Sequence, residues 1–169
     1  SLKYTAELIE PHDFKDSVER FFAAGGCGIN VTVPFKSKAF QIAAKASQRA
    51  DRAGAANTLL SKKNVIECDN TDGAGLVCDL KENLSWVIKS KRILVIGAGG
   101  AAQGILEMLL KEDPAYIHIV NRTKSKAIDL AWQFSDLGSL EGAGIDDIAS
   151  ERYDLVFNAT SAGVKQEPL

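Results

Sequence analysis

The order of apolar and polar positions divides the chain into two parts that read differently. In the second part, residues 93–96 (Ile-Leu-Val-Ile) form a continuous apolar run, the pattern of a strand buried on both faces. Glycines follow, and Ile105, Leu106, Leu109 and Leu110 then recur at helical spacing. Residues 117–120 predict a second strand after the turn at Asp113-Pro114. Residues 124–134 predict a helix with Ala127, Leu130, Ala131 and Phe134 on its inner face. Residues 155–157 predict a third strand. This alternation implies an α/β fold with a doubly wound parallel sheet.

The first part mixes its periods. Tyr4, Ala6 and Leu8 alternate with Lys3, Thr5 and Glu7, which predicts a half-buried strand ended by Pro11. Asp13 is placed to cap a helix running to about Ala24, with Phe14, Val18, Phe21 and Phe22 on its apolar side and Gly25-Gly26 as its stop. Residues 29–33 predict a strand closed by Pro34, and residues 37–52 a helix with a break near Ser47. Residues 55–60 and 65–68 are expected to pair across the polar turn 61–64. Thr71 or Asp72 then opens a helix through Leu76, Leu80 and Leu84. That helix is the candidate domain boundary, separating residues 1–85 from residues 86–169, although no Pro- or Ser-rich linker marks it. Three parallel strands leave an exposed sheet edge, and the front end opens abruptly in a strand. The chain is therefore expected to be part of a longer protein.

Composition narrows the function classes. The chain has 169 residues, 46% hydrophobic and 25% charged, which suits one large domain or two small ones with real cores. A net charge of −2 without a basic block argues against nucleic acid or an anionic membrane as the main partner. No apolar run is long enough to span a bilayer, and Ser1 opens no signal-peptide pattern. Cys27, Cys68 and Cys78 form no C-x-x-C and read as reduced thiols of a cytoplasmic protein. His12 and His118 stand far apart, and no ligand spacing suggests a metal. Oligomeric state stays open between monomer and homodimer.

The glycines after residue 96 carry the first chemistry. Gly97, Gly99 and Ala102 give G-x-G-x-x-A between a predicted strand and a predicted helix. Gly97 permits a tight turn, Gly99 lets the backbone approach a pyrophosphate, and Ala102 lets helix and strand pack closely. The free N–H groups of the helix start then face the phosphates. A glycine-rich turn that only packs would give the same letters. Where an acidic residue would close the second strand and bind the ribose of NAD, the chain has Asn121-Arg122-Thr123, with Lys126 in the next helix. Asn121 does not repel a 2′-phosphate, and Arg122 can grip one with its guanidinium, so the pattern favours NADP over NAD. A solvated basic helix start is the plain alternative. Asn158-Ala-Thr160-Ser-Ala-Gly163 ends the third strand with small and hydroxyl residues, at the end of such a sheet where the cofactor crevice lies.

Three polar clusters stand out in the first part. Asn30 and Thr32 share a face of their predicted strand, with Lys36 just beyond it. Asn57-Thr58 follows Gly54-Ala-Ala, and Asp69-Asn-Thr-Asp72-Gly opens the boundary helix. A Lys and an Asp in one pocket can exchange a proton with a hydroxyl or carbonyl oxygen, and amides and hydroxyls can bind a polyhydroxylated ring. On spacing alone, Asp72 is equally a helix cap and Lys36 a surface lysine.

Six motifs in one order resolve the choice: Asn30-Val-Thr-Val-Pro-Phe-Lys36, Ala56-Asn-Thr-Leu59, Asp69-Asn-Thr-Asp-Gly73, Gly97-Ala-Gly-Gly-Ala101, Asn121-Arg-Thr123 and Asn158-Ala-Thr-Ser-Ala-Gly163. Together they resemble the shikimate dehydrogenase family over nearly the whole chain. The resemblance implies an N-terminal mixed α/β substrate domain followed by a Rossmann NADP domain, both partial. It implies NADP-dependent, reversible reduction of 3-dehydroshikimate to shikimate in chorismate and aromatic amino-acid biosynthesis. Lys36 matches the catalytic lysine and Asp72 its acidic partner. Thr32, Asn57 and Asp72 match substrate contacts, with Asn30 a weaker member. Gly97, Ala98, Gly99, Gly100 and Ala101 would hold the pyrophosphate, Asn121, Arg122, Thr123 and Lys126 the adenosine end, and Thr160 the crevice beside it. Gln48 stands where the family often has an acidic cofactor contact, so that role is not carried over. The family's Ser-x-Ser segment would precede Ser1, and its last pocket segments would follow Leu169. Two domains with a crevice between them imply closure on binding. The alternatives are an NAD-dependent quinate/shikimate dehydrogenase and a non-catalytic NADP-binding module that senses redox state or holds a partner.

Overall fold

The computed structural model describes residues 3–148 and 151–160. Its elements are α1 (Phe14–Ala23), β1 (Gly28–Asn30), α2 (Lys36–Ile42), β2 (Lys45–Ala46), α3 (Gln48–Ala53), β3 (Thr58–Lys62), β4 (Val65–Asp69) and α4 (Asp72–Cys78), then β5 (Arg92–Ile96), α5 (Gly100–Lys111), β6 (Tyr116–Asn121), α6 (Lys124–Gln133), β7 (Leu140–Gly144) and β8 (Leu155–Asn158). They build two four-stranded sheets, ordered β1-β3-β4-β2 and β7-β6-β5-β8.

The first sheet is mixed. β1, β3 and β4 run antiparallel, and β2 adds to β4 in parallel. Its β3–β4 hairpin turns on Lys63 and Asn64, both at positive φ, as a two-residue turn matched to strand twist requires. Phe14 and Val18 of α1 pack with Val31, Ala39, Ala50, Ala56, Leu59 and Cys68 into one core, and the Phe14 ring stacks on Phe35 at 4.8 Å.

Several expectations change here. Residues 3–10 form no strand, because they pair with no ladder, and Tyr4 and Leu8 stand exposed. Asp13 sits at the head of α1, but its side chain makes no capping bond. The strand expected over 29–33 stops at Asn30, where its pairing with β3 ends, and Pro34 has no N–H with which to continue a ladder. Thr32 therefore lies in the turn after β1, its carbonyl accepting from Phe35 N. The helical pattern of 37–52 is two helices with a parallel strand between them. Ser47 opens the second, its Oγ accepting from Ala50 N. The strand expected from residue 55 begins at Thr58. The boundary helix is α-helical only to Cys78 and continues to Asn83 as a wider π-turn.

The second sheet is parallel throughout its described strands. Ile93, Val95, Ile117 and Ile119 meet the inner faces of α5 and α6 in the larger core, which also takes in Val77, Leu80 and Ile88 from the connection between the sheets. β7 is the strand that the sequence pattern missed, making four parallel strands where three were expected. From β5 the chain steps outward through β6 to β7, then returns with β8 on the other side of β5. That reversal is the topological switch point at which α/β sheets open a crevice.

The candidate active site

The carboxyl ends of β5, β6 and β8 lie together, with Ile96 in register with both Val120 and Asn158. The turn after β5 uses Gly97 at φ +111°, a conformation L side chains rarely adopt. A Cβ there would stand 2.9 Å from the Ala159 carbonyl oxygen, so the chain after β8 closes directly on the glycine turn. Thr160 is held beside it, its N–H and hydroxyl donating to Asn158 Oδ1 at 3.0 and 2.7 Å. Ser161-Ala-Gly163, the rest of that motif, lies outside the described residues. Gly99 precedes α5 in extended backbone with nothing within 4 Å of a Cβ built on it. The N–H groups of Gly100, Ala101 and Ala102, in the first turn of α5, have no helical acceptor and are available to an anion. This part of the fold has the form of a phosphate cradle.

At the end of β6, Asn121 Nδ2 donates to the Thr123 carbonyl at 3.0 Å and shapes the entry to α6. Arg122 and Lys126 are exposed, and neither makes an ion pair among the described residues, whereas Lys124 pairs with Asp147 at 2.9 Å.

The polar clusters of the first part meet at one end of the first sheet. Asn30 ends β1 opposite Thr58, and Thr58 pairs with Asp69 at the end of β4. Backbone bonds draw in the neighbours: Val31 N donates to Asn57 O at 2.7 Å, Asn57 N to Asp69 O at 3.1 Å, and Ala56 N to Lys36 O at 2.9 Å. Lys36 thereby stands at the head of α2, and its Nζ donates to Asp72 Oδ2 at 2.6 Å, with both side chains mostly buried. Asn57 Nδ2 donates to the other carboxylate oxygen, Asp72 Oδ1, at 2.8 Å and to Thr71 Oγ1 at 2.9 Å. Thr32 and Asn30 are exposed near this group.

Below the cluster, Asp69 takes Ser47 Oγ, Arg49 Nε and Arg49 Nη2, plus Asn70 N from its own backbone. The Arg49 guanidinium, first among these causes, holds the Asp69 carboxyl down at about 2. This ion pair fixes β4 to the start of α3, directly before the turn that carries Asp72.

The two clusters face each other. A Cβ on Gly100 would lie 3.8 Å from Lys36 Cβ, so the glycine turn adjoins the lysine–aspartate pair. The contact is set by a crossing of α4 over α5, where a Cβ on Gly73 would stand 2.6 Å from the Gly104 carbonyl oxygen. The sequence pattern assigned no site role to Gly104 or Asn70, and to Thr71 only a place at the head of the boundary helix. Asn70 is the most enclosed polar side chain of the group at 1% exposure, and its only sequence signal was its place inside Asp69-Asn-Thr-Asp-Gly73. Among the described residues, no group of three His, Cys, Asp or Glu side chains suits a metal ion. No helix of the described residues is long and apolar enough to cross a membrane.

The sequence model of the shikimate dehydrogenase substrate-binding domain matches residues 1–59, and that of shikimate/quinate 5-dehydrogenase matches residues 79–165. The chain belongs to the shikimate/quinate dehydrogenase family. The NADP(+) shikimate dehydrogenase of Cellvibrio japonicus is 47% identical over 167 residues, which are 98% of this chain and 60% of that protein. Among solved structures, an Ael1 enzyme of Pseudomonas putida superposes with a TM-score of 0.83 at 35% identity, over 95% of this chain and 59% of that one. The shikimate dehydrogenase of Aquifex aeolicus does so with a TM-score of 0.81 at 34% identity, over the same shares. The chain thus spans about three fifths of the length of the family members it matches.

Proposed function

We propose that the protein is an NADP-dependent shikimate dehydrogenase, reversibly reducing 3-dehydroshikimate to shikimate in cytoplasmic chorismate and aromatic amino-acid biosynthesis. The observation that carries this reading is the Lys36–Asp72 pair, 2.6 Å apart, against the glycine turn. The Cellvibrio relative, named for the same substrate and cofactor, supports it.

The residues present fit NADP. Gly97, Ala98, Gly99, Gly100 and Ala101 form a cradle that side chains would fill, and the first N–H groups of α5 face out of it. Asn121, Arg122, Thr123 and Lys126 offer two cations and no carboxylate to a 2′-phosphate, with Thr160 lining the crevice. Bound NADP(H) supplies the hydride exchanged with the substrate's C3 carbon. Lys36 Nζ gives a proton to the C3 oxygen during reduction and takes it back during oxidation. Asp72 holds the lysine in place. Asn30, Thr32 and Asn57 orient the ring hydroxyls, Asn57 by exchanging one of its bonds to Thr71 or Asp72 for the substrate. In this reading residues 1–85 are the substrate half and residues 86–169 the cofactor half.

The test is an initial-rate assay of the full-length protein, offering shikimate or quinate with NADP+ or NAD+ and following reduced cofactor. Turnover mainly with shikimate and NADP+ is expected. A preference for quinate and NAD+ would overturn the specificity, and NADP binding without turnover would point to the sensing module.

A further inference from the structure

We propose that Gly104 and Asn70 are positioning residues for the Asp72 carboxylate, so that the helix carrying the dinucleotide turn sets the geometry of the lysine–aspartate pair. The inference rests on the function proposed above and extends it to two side-chain positions without a role there.

Asp72 Oδ2 is the oxygen that takes Lys36 Nζ. On the other side of that oxygen lies α5. A Cβ built on Gly104 would stand 3.0 Å from Asp72 Oδ2 and 3.0 Å from both amide atoms of Asn70, inside the 3.4–4 Å of ordinary contact. A side chain at 104 would have to push them by a few tenths of an ångström.

Neither the Asn70 amide nor the α5 backbone is free to yield. Asn70 is buried, its Nδ2 donating to Ala55 O at 3.0 Å and its Oδ1 accepting from Asp72 N at 3.1 Å. The same amide thus ties the first residue of α4 to the chain entering β3. The backbone of α5 has little room to retreat, because the Gly104 carbonyl is packed against Gly73 and the inner face of α5 is buried in the larger core. Close-packed interiors pass such a displacement on rather than absorbing it. The atom able to move is the Asp72 carboxylate, away from the position in which Asn57 and Lys36 hold it. Glycine at 104 therefore leaves the oxygen its place, and Asn70 fixes the backbone that presents it.

The test is a double-mutant cycle in the full-length protein, combining Gly104→Ala with Asp72→Asn. Gly104→Ala alone is expected to lower kcat about tenfold, since misplacement by about 1 Å is worth about a hundredfold. NADP+ affinity is expected to stay within about twofold. In the Asp72→Asn background the same substitution is expected to change kcat by less than about twofold, because the group it acts through is gone. Equal losses in both backgrounds, or a parallel loss of NADP+ affinity, would show a general packing defect and overturn the proposal; an unchanged kcat would do the same. Should Gly104→Ala fail to fold, the isosteric Asn70→Asp enters the same cycle with the same criteria. Urea midpoints measured across the cycle separate this inference from the function it rests on. They are expected to be non-additive, and additive midpoints overturn the positioning role even if the wild type turns over no shikimate.

Discussion

Asp69 and Arg122 show how differently two charged side chains of one fold contribute. Asp69 is satisfied from within, by Arg49, by Ser47 and by its own following backbone, and these partners, the Arg49 guanidinium first, outweigh burial and hold its carboxyl below the usual carboxylate range, at about 2. A carboxyl whose folded pKa is depressed stabilises the fold above its unfolded pKa and loses that contribution as pH falls toward the folded value. The shift corresponds to about 2 kcal/mol at neutral pH. Asp69→Asn is therefore expected to lower the urea midpoint clearly at pH 7, with the gap to wild type narrowing to roughly half by pH 3. A gap independent of pH would deny the ion pair its stabilising role. Arg122 is satisfied by nothing among the described residues and is exposed at the mouth of the proposed adenosine site. Charge-assisted bonds of a guanidinium to phosphate contribute about 1.5–3 kcal/mol. Arg122→Ala is expected to weaken NADP+ binding by roughly tenfold to a hundredfold while leaving NAD+ binding and the melting temperature nearly unchanged. Equal weakening of both nucleotides, read by titration, would remove Arg122 from 2′-phosphate recognition.

At the scale of elements, legibility followed burial. β5, α5, β6 and α6 were readable because their buried positions repeat at strand or helix period, as Ile93, Val95, Leu106 and Leu109 show. β7 was not, because Leu140-Glu-Gly-Ala-Gly144 carries two glycines and no clear alternation. Its composition has a steric cause: a Cβ on Gly142 would stand 2.3 Å from the carbonyl carbon and oxygen of Ala127, so α6 lies directly on the strand. The residue that lets the strand pack is the one that hides it from pattern reading. Tyr4 to Leu8 failed in the opposite way, alternating correctly but with no strand to pair with. The candidate site was legible as motifs, while its assembly through backbone bonds from Val31, Asn57 and Ala56 was not, since side-chain identity carries no record of those pairings. Gly142→Ala is expected to cost at least about 2 kcal/mol by overpacking against main chain. Gly75→Ala, inside α4 with nothing within 4 Å, is expected to be neutral or stabilising by up to about 1 kcal/mol. Thermal unfolding of the two variants separates these outcomes, and similar melting temperatures would refute the close approach of α6 to β7.

Two of the contacts that join the first part of the molecule to the second are of unlike character. One is the α4–α5 crossing, where Gly73 lies against the α5 backbone at Gly104 and Ile105 and against Met108, leaving no room for a side chain. The other is polar and reaches from α3 to the end of α6. Arg52 donates through Nη1 and Nη2 to Asp136 at 3.0 and 2.6 Å, and Gln133 Nε2 donates to the Arg52 carbonyl, while the guanidinium lies 5.8 Å from the Phe134 ring centroid. The crossing sits under the lysine–aspartate pair and holds its geometry. The second tie joins the two sheets' helices through side chains that remain partly open to solvent, so salt and local opening act on it first. Removing it leaves each core intact, because neither Arg52 nor Asp136 belongs to the apolar clusters. Arg52→Ala is therefore expected to speed amide hydrogen exchange in α3 and at the C-terminal end of α6, leaving β5 and β6 as protected as in the wild type. High salt is expected to move the wild type toward the variant. Unchanged exchange in α3 would show that this tie does not hold the junction between the two sheets. Faster exchange in β5 would show that the tie supports the larger core itself rather than the junction between the two sheets.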